Sequence, residues 1–220
     1  MLRIIPIITA AGIGSRMNMN TPKQFIKIGG IPIYIKTLQI FEQYGFNEIV
    51  IVVRSEDKEH IQSETSKYFP FIKFHMVIGG ETADMSRINA LKYIHTHIPE
   101  CEYVLFHDSN RPNISLSLLD KCVNEGLKYG NSCPYLICKD TMIDANMEVI
   151  SNSGIKRLQT PQLFKIDEIS KAYGIYNDQY VMEGSPASTY LKSFKDLHLF
   201  YGEEINVKIT TSDDLELIKT

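Results

Sequence analysis

The sequence predicts an α/β fold, an open and mostly parallel sheet with helices on both faces, and three observations carry that reading. Short β-branched runs alternate with longer amphipathic stretches over the first two-thirds of the chain. A glycine-rich turn follows the first of those runs directly. The 220 residues suit a single domain spanning 1–220, and 44% hydrophobic with 22% charged residues are ordinary globular proportions, which excludes a disordered, collagen-like or coiled-coil chain.

The clearest strands are expected at residues 3–9, 48–53, 72–78 and 103–107. Crossover helices fall between them at 32–44, 57–69 and 87–97; in the first, Ile33, Lys36, Thr37, Ile40, Phe41 and Tyr44 recur at three- and four-residue intervals. A helix at 115–129 can be capped by Ser115 and stopped by Gly130, with a strand at 132–138 after it. Residues 139–162 are polar, with turns at 144–146 and 152–154 around an extended run at 148–150, and predict a protruding two-stranded arm over about 139–158. Helices follow at 167–176 and 186–194, and strands at 197–201 and 206–210. A terminal helix at 212–219 has Ser212 as its cap and Asp213 and Asp214 in its first turn. In such a sheet, ligands bind outside the carboxyl ends of the strands where the strand order reverses.

Charge and composition remove several functions. With 23 basic against 26 acidic residues, net charge −3, there is no broad footprint for a nucleic-acid backbone. The uncharged stretch 4–15 is short of the roughly 20 apolar residues that span a bilayer, and no basic leader precedes it, so no membrane association and a cytoplasmic location are expected. Cys101, Cys122, Cys133 and Cys138 have no C-x-x-C spacing and read as reduced thiols rather than zinc ligands or disulfides.

The strongest motif follows the first strand: Ala10-Ala11-Gly12-Ile13-Gly14-Ser15-Arg16-Met17, then Thr21-Pro22-Lys23-Gln24. Glycines without a Cβ let backbone N–H groups turn toward an anion, and Arg16 and Lys23 add positive charge to that cradle. Met17 occupies the third glycine position of G-x-G-x-x-G, and no acid ends the second strand near Val53, which disfavours a nicotinamide cofactor and an oxidoreductase. No Gly-Lys-Ser or Gly-Lys-Thr completes a Walker loop. His107-Asp108-Ser109-Asn110-Arg111-Pro112 ends the fourth strand, putting Asp108 at the same sheet edge. A carboxylate there suits Mg²⁺, which takes one or two carboxylates plus phosphate and water oxygens; the alternative is an Asp108–Arg111 pair across a tight turn. Gly79-Gly80-Glu81, with Ser86 close behind, ends the third strand in the same crevice and could read a base edge. Lys208 is either on the wet side of an edge strand or a phosphate ligand aimed at the crevice.

The ordered series AAGIGSRM, TPKQ, GG, HDSNRP, DT, QTPQ and NVKITTSDDL resembles the cytidylyltransferases that make CDP-linked alcohols from methylerythritol phosphate and ribitol 5-phosphate. The resemblance implies a Rossmann-like nucleotidyltransferase domain that binds CTP and Mg²⁺, and a homodimer in which the β-arm exchanges contacts. It places Ala10, Ala11, Gly12, Gly14 and Arg16 around the CTP phosphates, Lys23 against the reacting and leaving phosphates, and Gly80, Glu81 and Ser86 around the cytosine. Asp108 would bind Mg²⁺ and Lys208 would stabilise the α-phosphate, while Arg111, Thr141, Arg157 and Thr160 would receive the phosphorylated alcohol. Arg16, Lys23 and Lys208 form the expected catalytic set.

Four departures bear on the acceptor. Ala83 stands where the family usually has an arginine, and Asn152 where the methylerythritol enzymes have the arginine gripping the acceptor phosphate, with Lys156 or Arg157 nearby as substitutes. Gly184-Ser185-Pro186-Ala187-Ser188 lacks the acid of the corresponding family segment, and Ile205 replaces a second metal-side aspartate, a loss the ribitol-type enzymes share. These favour a polyol phosphate used in surface-polymer synthesis, such as ribitol 5-phosphate, over methylerythritol phosphate; a catalytically weak nucleotide-binding relative is the other alternative.

Overall fold

A computed structural model describes residues 2–12, 23–150 and 154–218. The expected alternation is present as β1 (Ile4–Thr9), α1 (Ile33–Tyr44), β4 (Glu48–Val53), α2 (Lys58–Tyr68), β5 (Lys73–Ile78), α3 (Ala83–His97), β6 (Tyr103–Asp108), α4 (Leu116–Tyr129) and β7 (Asn131–Ile137). A small hairpin of β2 (Lys27–Ile28) and β3 (Ile31–Pro32) precedes α1. Strands β1, β4, β5 and β6 run parallel, with Ile7 beside Val50 and Phe106, and Val50 beside His75.

Strand residues alternate between two cores. Ile5, Ile7, Val50, Val52, Val104 and Phe106 pack under Ile88, Leu91 and Ile94 of α3. Ile8, Ile49, Ile51 and Leu105 face Leu38 and Phe41 of α1 and Leu118, Leu119 and Cys122 of α4. A sheet covered on both faces needs runs that are apolar throughout, which is why IIPIIT and EIVIVV show no polar side.

The second half departs from the sequence pattern. Strand β11 (Gln162–Lys165), which no periodicity announced, inserts antiparallel between β6 and β7. Strand β10 (Lys156–Leu158) pairs with β7, so the last residues of the expected 139–158 arm belong to the main sheet. What stands apart is the hairpin of β8 (Met142–Ile143) and β9 (Val149–Ile150), closed by Asp144, whose Oδ1 accepts the N–H groups of Asn146 and Glu148. Helices α5 (Ile166–Ala172) and α6 (Pro186–Phe194) follow, and β12 (Leu199–Tyr201) pairs with β7.

Two expected elements are corrected. Residues 206–210 form no strand: the Asn206 carbonyl is taken by Arg111 Nη1 at 2.8 Å and Gln159 Nε2 at 3.2 Å, and Ile209 N–H donates to the Asn110 carbonyl at 2.9 Å. Side chains and loops satisfy this backbone where a ladder was expected. The terminal helix shrinks to a 3₁₀ segment, Asp213–Leu217, and Ser212 does not cap it. Asp214 turns back instead, its Oδ2 accepting from Thr210 N–H at 2.7 Å and Thr211 N–H at 2.8 Å. Among the described residues no helix is long and apolar enough to cross a membrane, and the four cysteines are free and buried.

Candidate active site

From β1 the chain adds β4 and then β5 on one side and later adds β6 on the other, so the order reverses between β1 and β6. Thr9 and Asp108 are register partners there, each at the carboxyl end of its strand. A cavity of about 220 Å³ opens above them, bordered by Ala11 and Gly12, Gln24, residues 80–83, Ser86, Arg87, residues 108–110 and Lys208.

Gly79 and Gly80 allow the close approach that shapes one wall. A Cβ on Gly79 would stand 2.7 Å from Ala11 Cβ and 2.8 Å from Ser86 Oγ, and one on Gly80 would stand 2.5 Å from Met85 Cβ. Ser86 Oγ accepts the Gly80 N–H at 3.1 Å. Helix α3 starts at Ala83, a turn earlier than expected, because Thr82 caps it by accepting the Met85 N–H at 3.0 Å. That early start carries Ser86 and Arg87 into the cavity wall on rigid helix.

Asp108 is 7% exposed, and its Oδ2 meets Arg111 Nε and Lys208 Nζ, each at 3.1 Å. Burial alone would push this carboxyl up, but Lys208, Arg111 and Arg87 more than reverse it and hold it well below the usual carboxylate range. The Asp108–Arg111 pairing and the convergence of Lys208 thus occur together. His107 packs beneath, against Phe41 with ring centroids 5.4 Å apart; burial lowers its pKa to about 3, so it is neutral and cannot serve as a proton-accepting base exposed to substrate.

Of the residues singled out from the motifs, Ala11, Gly12, Gly80, Glu81, Ser86, Asp108 and Lys208 border the cavity, and Ala10 is buried just behind it. Lys23 opens a 3₁₀ turn, Lys23–Phe25, whose Gln24 reaches the cavity. Gly14, Arg16 and Asn152 lie outside the described residues.

Of the four acceptor residues, Arg111 and Thr160 meet at Asp108, and none of the four borders the cavity. Arg111 is 9% exposed and enclosed between Asp108 and Asn206. Thr160 is buried, its Oγ1 accepting the Asp108 N–H at 3.3 Å, and its carbonyl accepts Asn206 Nδ2 at 2.7 Å. These two hold Asp108 and the Lys208 segment in place. Arg157 is exposed and pairs with Glu204 at 3.4 Å, and Thr141 is exposed at the base of the hairpin arm; neither borders the cavity. Thr9, Gln24, Arg87, Ser109 and Asn110 border it without having been singled out. Thr9 was legible as the last residue of the first strand, and Arg87 as an arginine one helical turn beyond Ala83.

The family model of 2-C-methyl-D-erythritol 4-phosphate cytidylyltransferase matches residues 4–220. The chain belongs to that cytidylyltransferase family. A 2-C-methyl-D-erythritol 4-phosphate cytidylyltransferase of Clostridium acetobutylicum is 32% identical, over 97% of this chain and 95% of its own length. One from Clostridium perfringens is 30% identical, over 98% and 96%. Among solved structures, a 4-diphosphocytidyl-2C-methyl-D-erythritol synthase from Anaerococcus prevotii superposes with TM-score 0.81 at 28% identity, covering 98% of this chain and 95% of that one. Membership makes this cytidylyltransferase a CTP-dependent nucleotidyltransferase, and the Rossmann-like sheet flanked by helices is the one its relatives share.

Proposed function

We propose that the enzyme transfers CMP from CTP to 2-C-methyl-D-erythritol 4-phosphate, giving the CDP-alcohol and pyrophosphate in isoprenoid synthesis. The observation that carries the chemistry is the Asp108–Lys208 pair at the β1/β6 reversal, bordering one cavity with Gly12 and Gly80. The acceptor rests on the family model and on relatives sharing that activity in their names along nearly their whole length. A phosphate oxygen of the alcohol attacks the α-phosphorus in line, the bond to the bridging oxygen breaks, and pyrophosphate leaves with that electron pair. No side-chain nucleophile is needed; the protein aligns two anions and offsets charge as it develops. Lys208, exchanging Asp108 for an α-phosphate oxygen, supplies positive charge at that point, and the family resemblance would assign Arg16 and Lys23 to the other phosphates.

Mg²⁺ is the metal that the donor set fits. Among the described residues no group of three or more His, Cys, Asp or Glu could form a cage. The Asp108 carboxylate at the cavity, engaged through Oδ2, matches an ion that keeps its waters and takes its other oxygens from a triphosphate. Asp108 would hold it, and the bound ion would neutralise phosphate charge.

The second reading, ribitol 5-phosphate or another polyol phosphate of surface-polymer synthesis, is favoured by Ala83, Ser185 and Ile205, where the acids and arginine of the methylerythritol pattern are missing. Pyrophosphate release from CTP and Mg²⁺ with a panel of methylerythritol, erythritol, ribitol and glycerol phosphates separates the two. The highest kcat/KM is expected with 2-C-methyl-D-erythritol 4-phosphate; a higher one with ribitol 5-phosphate would move the function to the second reading, and no turnover with any of them would overturn both.

We also propose a homodimer formed through the arm. Its hairpin exposes Met142, Ile143, Met147, Val149 and Ile150, with Met147 77% exposed, an apolar surface that a monomer would leave in water. Dimerisation would give Thr141 and Arg157 a route to an acceptor held by the other copy. Light scattering should give twice the monomer mass, and Val149→Asp should shift it toward the monomer; a wild-type monomer at micromolar concentration would refute the dimer.

A further inference from the structure

Arg87 borders the same cavity as Asp108 and Lys208, yet it is almost fully enclosed, with its side chain 8% exposed. Asp84, three residues earlier on α3, anchors it: Oδ1 accepts from Arg87 Nη1 at 2.8 Å and from the Tyr173 hydroxyl at 3.2 Å. Oδ2 accepts the Gly184 N–H at 2.7 Å, and Arg87 Nη1 donates to the Gly184 carbonyl at 3.2 Å. One carboxylate and one guanidinium therefore clasp both backbone polar groups of Gly184.

Both of these guanidinium bonds use Nη1, whereas arginine carries five N–H donors in a planar fork. The other three N–H groups sit on Nε and Nη2, and the Arg87 side chain borders the cavity. Arg87 and Asp108 also attract across that space, each favouring the charged form of the other. Enclosing an ion pair costs desolvation that apolar packing would avoid, so stability alone gives little reason for one here. A planar cation with donors on several nitrogens is suited to a phosphate.

We propose that Arg87 is a substrate-binding residue of this enzyme, held by Asp84 and Gly184 so that its remaining N–H groups meet a phosphate oxygen of CTP beside Asp108 and Lys208. The inference rests on CTP as donor and is independent of which alcohol phosphate accepts CMP.

Calorimetric titration of CTP with Mg²⁺ and no acceptor tests it on wild type, Arg87→Gln and Arg87→Lys, with cytidine affinity measured by competition. Loss of a charge-assisted hydrogen bond should weaken CTP binding by roughly 10- to 100-fold in Arg87→Gln, with cytidine binding unchanged. Arg87→Lys should recover part of the loss, because charge is retained. If removing the guanidinium unfolds the protein by stranding Asp84, Asp84→Asn with Arg87→Gln removes both charges and is read the same way. Wild-type CTP affinity in the folded glutamine variant would overturn the proposal, as would equal losses for CTP and cytidine. Because no acceptor enters the titration, an error in the acceptor assigned above leaves this result unaffected.

Discussion

Lys208→Met should lower turnover by about 10²- to 10³-fold at saturating CTP and acceptor, the usual loss when one preorganised donor is removed from a transition state. The melting temperature should hardly move. Lys208 is 39% exposed at its side chain, and its contact with Asp108 Oδ2 is an ion pair at the edge of solvent, of the kind worth about 0–1 kcal/mol. Asp108 keeps Arg111 as a partner when the lysine is gone. Steady-state pyrophosphate release and thermal denaturation on the same preparation check both halves. A large fall in melting temperature with near-normal turnover would make Lys208 a structural residue and remove the centre of the proposed mechanism.

Arg111→Leu should do the reverse and strike folding first. Its Nε and Nη1 bind Asp108 Oδ2 and the Asn206 carbonyl inside the protein, at 3.1 and 2.8 Å. Truncation leaves Asp108, which is 7% exposed, to the more exposed Lys208 and takes a donor from the Asn206 carbonyl, and breaking a buried pair from one side costs up to about 3–5 kcal/mol. For a chain of this size that corresponds to a melting temperature lower by roughly 6–20 °C. Activity should fall as well, since the segment bearing Lys208 hangs from Asn206. Denaturant titration decides the matter. Unchanged stability with a raised KM for the alcohol phosphate alone would instead give Arg111 the acceptor role implied by the family resemblance.

The first half of the fold was legible because its signals are local. An unbroken apolar run such as EIVIVV can be buried only as a strand covered on both faces, and β4 has the boundaries its sequence suggests. Ser115 and Gly130 similarly delimit α4, the serine accepting the Leu118 N–H and the glycine adopting positive φ. Thr82 was an equally good cap, but the adjacent Gly79-Gly80 made the whole stretch read as loop, so the first turn of α3 was missed and with it the setting of Arg87. Strand β11 was illegible for another reason: Gln162–Lys165 is four residues long, too short for a period, and is a strand only because β6 and β7 supply hydrogen bonds on both sides. Residues 206–210 erred in the opposite direction. Their β-branched composition suited a ladder, but Arg111, Gln159 and Asn110 bind that backbone first.

The amino-acid order by itself determined the parallel α/β architecture, the glycine turn after the first strand, and the presence of Asp108 at the end of another, because each follows from the spacing of residues that are neighbours in the chain. Only the tertiary structure decided that Lys208 meets Asp108, that Arg111 and Thr160 brace that carboxylate from behind, and that Arg87 stands in the cavity wall. Those contacts join segments far apart in sequence, and which side chain reaches which partner is fixed by sheet register and by competition for buried hydrogen bonds, neither of which has a period to read.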